Sequence, residues 1–154
     1  DLYYTRFASN DSSVVFTDNT LSLKKLKLKT NLFLENIPQI KWYEDLELTL
    51  NFQVFKTFDD LKINFIIFDK EQRPVAVLRD DSNQDFENYI KDDELNFTIT
   101  HKNLQLSKGL YSLNLSITND KTVILRMNSI LEFQVNHEIH DWQPFLLKGE
   151  ITTS

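Results

Sequence analysis

Apolar and polar residues alternate again and again between Asp45 and Val135, in short runs separated by polar turns. In one such run the apolar side carries Leu46, Leu48, Leu50, Phe52 and Val54. The opposite side carries Glu47, Thr49, Asn51 and Gln53. A period of two is typical of a half-buried strand, and several such runs in series indicate an antiparallel sandwich or barrel. We therefore predict an all-β fold with polar outer faces.

The chain has 154 residues, which is enough for one domain with a sizeable core and no need of a disulfide or metal. We predict a β-sandwich domain at 20–154. For 1–19 we predict either a docking strand that carries Tyr3, Tyr4 and Phe7 or a linker remnant, with a turn at 10–13. Because the chain begins at Asp1 rather than methionine, we expect it to be a domain excised from something longer.

Composition excludes several classes of function. The chain contains no cysteine, which excludes a disulfide framework, an iron–sulfur site and a cysteine nucleophile. Its net charge of −6 argues against nucleic acid or an anionic membrane as the partner, since both require excess Lys and Arg. No apolar run reaches the roughly 18 residues needed to span a bilayer.

The periodicity predicts strands at 21–28, 32–35, 45–55, 61–68, 74–79, 94–100, 110–117, 122–127 and 129–135. We expect a bulge at Lys24–Lys25, a turn at Pro38, one helical turn within the polar loop 80–93, and a last strand through Phe145 and Leu147. We assign 45–55 and 94–100 to one sheet, and 61–68, 74–79, 110–117 and 122–135 to the other. The predicted core residues are Leu48, Leu50, Phe52, Ile63, Phe65, Ile67, Leu95, Phe97, Ile99, Leu113, Leu115 and Phe133.

The turns must be made almost without glycine, because the chain has only Gly109 and Gly149. Asn and Asp are abundant, and both tolerate the left-handed conformation that turns require. We therefore expect these residues to form the turns, as at Asn119–Asp120.

One local signal refines the fold class. The segment Leu106-Ser107-Lys108-Gly109-Leu110-Tyr111 leads directly into an alternating strand. A tyrosine at the start of the penultimate strand is the pattern of the tyrosine corner in immunoglobulin-like sandwiches. We therefore predict an immunoglobulin-like antiparallel β-sandwich in which Tyr111 has a structural role.

No catalytic motif is present: the chain lacks a GxxxxGK[ST] phosphate loop, HExxH and GxSxG. We predict a protein that is not an enzyme and needs no cofactor. His137, His140 and Asp141 lie close enough in sequence to share a metal, but an exposed loop explains them better. The acidic residues also cluster in loops, where a solvated surface explains them better than a paired-carboxylate glycosidase site.

The outer face of two predicted strands carries the candidate binding site, with amides and hydroxyls on strand 110–117 and an amide beside apolar residues on strand 61–68. Amides and hydroxyls bond neutral hydroxyl groups, and an aromatic ring covers the apolar face of a sugar. Two arginines are expected to flank this face and donate hydrogen bonds. The predicted carbohydrate-binding residues are Asn64, Ile66, Phe68, Arg79, Ser112, Asn114, Ser116 and Arg126. An ordinary solvated sheet face, with Phe68 at a dimer contact, is the competing interpretation.

The order of elements resembles the C-terminal domain of Wzt-type proteins, the ATP-binding subunits of ABC transporters that export O-antigen and related polysaccharides. The resemblance covers about residues 14–150, and its matching stretches are 42–50, 61–69, 73–77, 106–113 and 131–135. The chain departs from the family at Glu44 and Gln72, where glycines are usual. It also departs after strand 74–79, where Leu78-Arg79-Asp80 stands in place of a Thr-Asn pair that is common in the family.

This resemblance implies an immunoglobulin-like sandwich, often a homodimer, that binds the exported glycan near its modified non-reducing end on a sheet face. It also implies a nucleotide-binding domain upstream in the same chain, a membrane permease subunit as partner, and a cytoplasmic location at the inner face of the bacterial inner membrane. The alternative is a protein-interaction or adhesin-type module that uses Ile66 and Phe68. A secretion signal upstream would favour that alternative, and a Walker-motif domain upstream would favour the transporter.

Overall fold

The computed structural model describes residues 3–7 and 13–153. The strands, in chain order, are β1 (Tyr3–Phe7), β2 (Val14–Thr17), β3 (Leu21–Lys29), β4 (Leu32–Leu34), β5 (Ile37–Lys41), β6 (Leu46–Val54), β7 (Leu61–Phe68), β8 (Pro74–Arg79), β9 (Ile90–Lys91), β10 (Glu94–His101), β11 (Gly109–Asn119) and β12 (Thr122–Asn136). The helical turn predicted in loop 80–93 is present as the 3-10 helix Phe86–Tyr89. The turn predicted at 10–13 lies outside the described residues except for Ser13. No helix in the described ranges is long and apolar enough to cross a membrane.

Within these ranges the strands form two sheets. One has the order β1-β3-β6-β10-β9, and the other has the order β4-β5-β12-β11-β7-β8, with β2 paired to β12. The pairing is antiparallel throughout these described strands except between β5 and β12, which run parallel. The predicted immunoglobulin-like sandwich is confirmed, and so is the division of the strands between the two sheets.

The core lies between the sheets because each long strand turns every second residue inward. In β6 the buried series is Leu46, Leu48, Leu50 and Phe52, all with no measurable exposure. Ten of the twelve predicted core residues are buried. The two exceptions, Phe97 and Ile99, are half-buried because β9 covers β10 only at Glu94 and Leu95, which leaves the edge beside them open.

The tyrosine corner is confirmed. The Tyr111 hydroxyl donates a buried hydrogen bond of 2.6 Å to the carbonyl oxygen of Ser107, and the ring stacks on Phe133 at 5.8 Å between centroids. Burial, with a smaller contribution from the Asp69 carboxylate, raises the pKa of Tyr111 to about 12. This bond fixes the start of β11, the strand at the centre of the candidate site.

Asn and Asp make most of the left-handed turns, as predicted. Positive φ angles occur at Asn19, Asn36, Asn83, Asp92, Asp93, Asn103 and Asp120, and also at Glu35, Tyr43, Gln72 and Ser129. The turn predicted at Pro38 is wrong, since the chain reverses at Glu35 and Asn36 with φ of 51° and 67°. Pro38 itself is buried within β5.

Two other expectations change in detail. The two strands predicted at 122–127 and 129–135 form a single strand, β12, which contains a bulge. The last strand predicted through Phe145 and Leu147 is wrong, because Phe145 forms only an isolated bridge with Leu106. Its neighbour Pro144 lacks the N–H that a strand ladder needs. The bulge predicted at Lys24–Lys25 is confirmed by a register shift between β3 and β6.

Candidate functional site

The strand registers bring the eight predicted binding residues to one face of the seven-stranded sheet. Between β7 and β11, Asn64 pairs with Ser116, Ile66 with Asn114 and Phe68 with Ser112. On the outer sides, Arg79 of β8 pairs with Asn64, and Arg126 of β12 pairs with Ser116. One row across four strands therefore reads Arg79, Asn64, Ser116, Arg126. We call the eight residues together the candidate face.

The two amides of the candidate face are held in position through their oxygen atoms. Arg79 Nε donates to Asn64 Oδ1 at 3.0 Å, and the Ser129 backbone N–H donates to Asn114 Oδ1 at 2.9 Å. Within the described residues no bond to either amide nitrogen is present, so each amide still has two N–H donors for a ligand. The candidate face is therefore rich in fixed hydrogen-bond donors.

Asn114 also has a structural role that the sequence did not reveal. Leu113 pairs with Leu131 while Leu115 pairs with Met127, so three residues of β12 oppose Asn114 alone. Within this bulge Ser129 adopts φ of 50°. The side-chain oxygen Oδ1 of Asn114 accepts the Ser129 N–H that the bulge removes from the strand ladder.

Accessibility differs among the eight residues. Arg79 and Arg126 are exposed, and five others are half-buried: Asn64, Ile66, Phe68, Asn114 and Ser116. Ser112 is only 7% exposed, which corrects the expectation that its hydroxyl is open to a ligand. The larger side chains of Phe68 and Glu132 occupy the paired positions on either side of Ser112.

Two exposed apolar residues that were not among the predicted binding residues extend the candidate face. Val77, 55% exposed, pairs with Ile66, and Phe16, 46% exposed, pairs with Arg126. The alternation in β8 is a signal that points to Val77, because Arg79 lies two residues further on. No local signal points to Phe16, since its position depends on the pairing of β2 with a strand more than a hundred residues away in sequence.

At its Asn64–Arg79 end the candidate face deepens into a cavity of 340 Å³ between the sheet and the loop that follows β8. The described residues that line it are Asp60, Leu61, Lys62, Ile63, Asn64, Arg79, Asp80, Asn83, Gln84 and Thr118. The lining contains two basic residues, Lys62 and Arg79, and two acidic residues, Asp60 and Asp80. Lys62 forms an ion pair with Asp60 at 3.7 Å. The lining therefore carries no excess charge of either sign.

At the turn after β7, beside Phe68, a carboxylate is tied into the backbone. Asp69 accepts hydrogen bonds from both the N–H and the guanidinium of Arg73, each at 2.9 Å. The backbone bond, more than the guanidinium, holds the pKa of Asp69 below its ordinary value. Asp69 is therefore ionised at neutral pH, and both of its carboxylate oxygens accept hydrogen bonds from Arg73. These bonds shape the turn between β7 and β8.

The two histidines that could have shared a metal each lie against a tryptophan ring. The His137 ring lies 4.7 Å from that of Trp42, and the His140 ring lies 5.1 Å from that of Trp142. The described residues contain no group of three or more His, Asp or Glu side chains that could hold a metal ion. The half-buried Trp42 donates its indole N–H to the Leu146 carbonyl at 2.9 Å, and this bond ties its ring to the C-terminal segment.

Comparison with known proteins supports the fold. Neither a protein-family model nor a curated protein matches the chain. A crystal structure described as the C-terminal domain of Wzt superposes with a TM-score of 0.74, covering 97% of this chain and 93% of that chain at 12% sequence identity. The likeness at this identity is one of fold. The chain thus has the β-sandwich fold of the Wzt C-terminal domain, as its sequence pattern predicted.

Proposed function

We propose that this domain is a non-catalytic carbohydrate-binding module that recognises an exported polysaccharide, an O-antigen-like glycan, on the candidate face. The observation that carries the proposal is the register of β7 with β11. It places two oriented amides and a serine hydroxyl beside a phenylalanine on one accessible sheet surface. The sandwich fold shared with the Wzt C-terminal domain supports the same assignment.

The donors of the candidate face match the acceptors of a sugar. Asn64 and Asn114 offer amide N–H groups, and Ser116 offers a hydroxyl, to the ring and hydroxyl oxygens of a saccharide. Ile66 and Phe68 present apolar surface to its C–H groups. Each neutral hydrogen bond contributes about 0.5–1.5 kcal/mol net, so a few of them predict a dissociation constant between millimolar and micromolar.

The two arginines delimit the binding surface. Arg79 and Arg126 stand at the two ends of the row through Asn64 and Ser116. Arg126 has no ion pair or hydrogen bond within the described residues, and Arg79 uses only its Nε atom to bond Asn64. Both guanidinium groups therefore have donors left for the oxygens of a glycan that crosses the strands.

The cellular context we propose follows from the fold likeness. The domain would be the C-terminal part of an ABC transporter ATP-binding subunit, with a nucleotide-binding domain upstream in the same chain. Its partners would be the glycan, a membrane permease and a second copy of the subunit, at the cytoplasmic face of the inner membrane. Sequencing the gene upstream of Asp1 tests this context, which predicts a Walker-motif domain there.

Calorimetric titration with the surface polysaccharide of the bacterium that encodes the chain tests the binding. The double substitution Asn64→Ala plus Ser116→Ala removes two donors and should weaken binding about 5- to 150-fold. Thr5→Ala is the matched control, because Thr5 is a half-buried hydroxyl on the edge strand β1 of the other sheet. Equal affinity of the double variant and the wild type would remove the candidate face as the binding site.

The apolar strip of Ile66, Phe68 and Val77 supports one competing function, a protein-interaction or adhesin-type module. A protein partner would bury this strip and would depend on its apolar area rather than on the amides. In that case the alanine variants of Asn64 and Ser116 would keep full binding to the partner, and the polysaccharide would not bind. A secretion signal upstream of Asp1 would point the same way.

A further inference from the structure

The loop that follows β8 is held in one position by specific contacts. Phe86 is 7% exposed and packs edge-on against Phe97 at 5.4 Å between ring centroids. Asp85 caps the 3-10 helix by accepting the Glu87 N–H at 3.2 Å, and Asp80 accepts the Ser82 N–H at 2.9 Å. The loop is therefore held by a buried aromatic anchor and by two Asp carboxylates that accept hydrogen bonds from its backbone N–H groups.

This loop separates two cavities that share their walls. The first, of 340 Å³, lies at the Asn64–Arg79 end of the candidate face. The second, of 320 Å³, lies on the other side of the loop along the open edge of β10. Ile63, Asp80 and Gln84 line both cavities. The candidate face therefore continues past the loop into this second cavity, which we call the loop cleft.

The loop cleft has an aromatic wall and neutral polar groups. Tyr89 is 49% exposed, and its hydroxyl donates to the Gln84 side-chain oxygen, so the ring is held in place. Phe97 lines the same cleft and stacks on Phe52 at 5.9 Å between centroids. Ser82 and Thr98 add hydroxyls, and Asp80 is the one charged residue among the described residues that line it.

We propose that the loop cleft binds a second, neutral sugar residue of the same glycan, so that the site recognises a chain of at least two sugars. This inference rests on the proposed function. The Tyr89 ring would cover the apolar face of this sugar, and Asp80 would accept hydrogen bonds from its hydroxyls. A lone carboxylate with no basic neighbour in the lining repels an anionic substituent, which selects a neutral hydroxyl-rich unit.

The volume of the loop cleft agrees with this role. Each of the two cavities lies at the lower end of the roughly 300–1,000 Å³ typical of small-molecule sites. One sugar ring in each, joined across the shared wall at Asp80 and Gln84, fits better than a single bulky ligand. On the side of β10 that faces away from β6, no strand of the described residues pairs with β10 beyond Leu95. The loop cleft is therefore open to solvent along that side.

Calorimetric titration with size-fractionated oligosaccharides, released by mild acid from the polysaccharide of the source bacterium, tests the proposal. The wild type should bind fragments of two or more sugars about tenfold more tightly than the monosaccharide. Tyr89→Ala should remove that gain and leave the affinity for the monosaccharide unchanged. Tyr89→Phe, which keeps the ring but removes its bond to Gln84, should lose about two- to fivefold for the longer fragments only.

Tyr3→Ala is the matched control, since Tyr3 is 39% exposed on the edge strand of the other sheet, and it should bind every fragment like the wild type. Thermal melts check that the variants fold equally. If Asn64→Ala weakens every fragment and Tyr89→Ala weakens none, the loop cleft is not a sugar site and the proposed function stands. If no fragment binds the wild type, both proposals are overturned.

Discussion

Replacing Tyr111 with phenylalanine removes one hydroxyl from the interior and tests how β11 is positioned. The hydroxyl donates to the Ser107 carbonyl at 2.6 Å, and both residues are buried, with Tyr111 5% and Ser107 2% exposed. The ring keeps its stacking on Phe133 in the variant, since only the oxygen is lost. The substitution therefore isolates the tyrosine-corner bond from the packing around it.

The size of the effect follows from the burial of both partners. A buried acceptor left without its donor costs about 1–3 kcal/mol. For a domain of 150–250 residues each kcal/mol shifts the melting temperature by about 2–4 °C. We expect Tyr111→Phe to lose about 1–3 kcal/mol of unfolding free energy, measured by urea denaturation, with a matching fall in melting temperature.

The pH dependence gives a second, independent readout. The pKa of Tyr111 rises from 10.0 to about 12 on folding, so the neutral phenol contributes to the stability of the folded state. Because the folded-state pKa is raised, this stability is complete below pH 10 and is lost as the pH rises through about 12. The wild type should therefore lose its advantage over Tyr111→Phe across that range.

Tyr89→Phe is the control, because it removes an exposed hydroxyl bonded to Gln84 and should change stability by less than about 0.5 kcal/mol. Equal stability of Tyr111→Phe and the wild type below pH 10 would contradict the reasoning. A constant difference between the two proteins from neutral pH to pH 12 would contradict the assigned pKa.

Asn114→Ala removes the acceptor for the Ser129 N–H in the bulge and should cost about 0.5–1.5 kcal/mol in urea denaturation; no change would mean that the bulge does not need it. Gln72→Gly relieves a residue held at φ of 66° and should raise the unfolding free energy by about 0.5–1 kcal/mol, whereas Gln72→Ala should not. The Asp69 carboxyl should titrate below 3.8 in NMR, so its contribution to stability is lost only as the pH falls through that lowered pKa. Arg73→Ala should move the Asp69 pKa only part of the way back, because the backbone N–H of residue 73 remains.

Alternation and one turn signal were enough to predict most of the fold. The inward series of β6, β7 and β11 is strict, so a shift by one residue would turn every inward-facing leucine and isoleucine outward. The same strictness placed Asn64, Ile66, Asn114 and Ser116 on the outer face before any pairing was known. The tyrosine at the start of β11 then indicated which strands share a sheet.

What the sequence could not predict depends on contacts between distant segments. The pairing of β2 with β12, which brings Phe16 beside Arg126, leaves no periodic trace. The burial of Ser112 depends on the bulk of its cross-strand neighbours rather than on its own position in the alternation. The loop cleft depends on Phe86, an apolar residue in a polar loop, whose burial against Phe97 only the folded chain shows.

Chemical-shift mapping by NMR, with the surface polysaccharide of the source organism titrated into the labelled domain, tests the proposed binding of a glycan most directly. We predict that the largest amide shifts fall in β7, β8, β11 and loop 80–89, with the side-chain amides of Asn64 and Asn114 among them. Shifts confined to the outer face of β3 and β6, or to the segment 142–153, would contradict it.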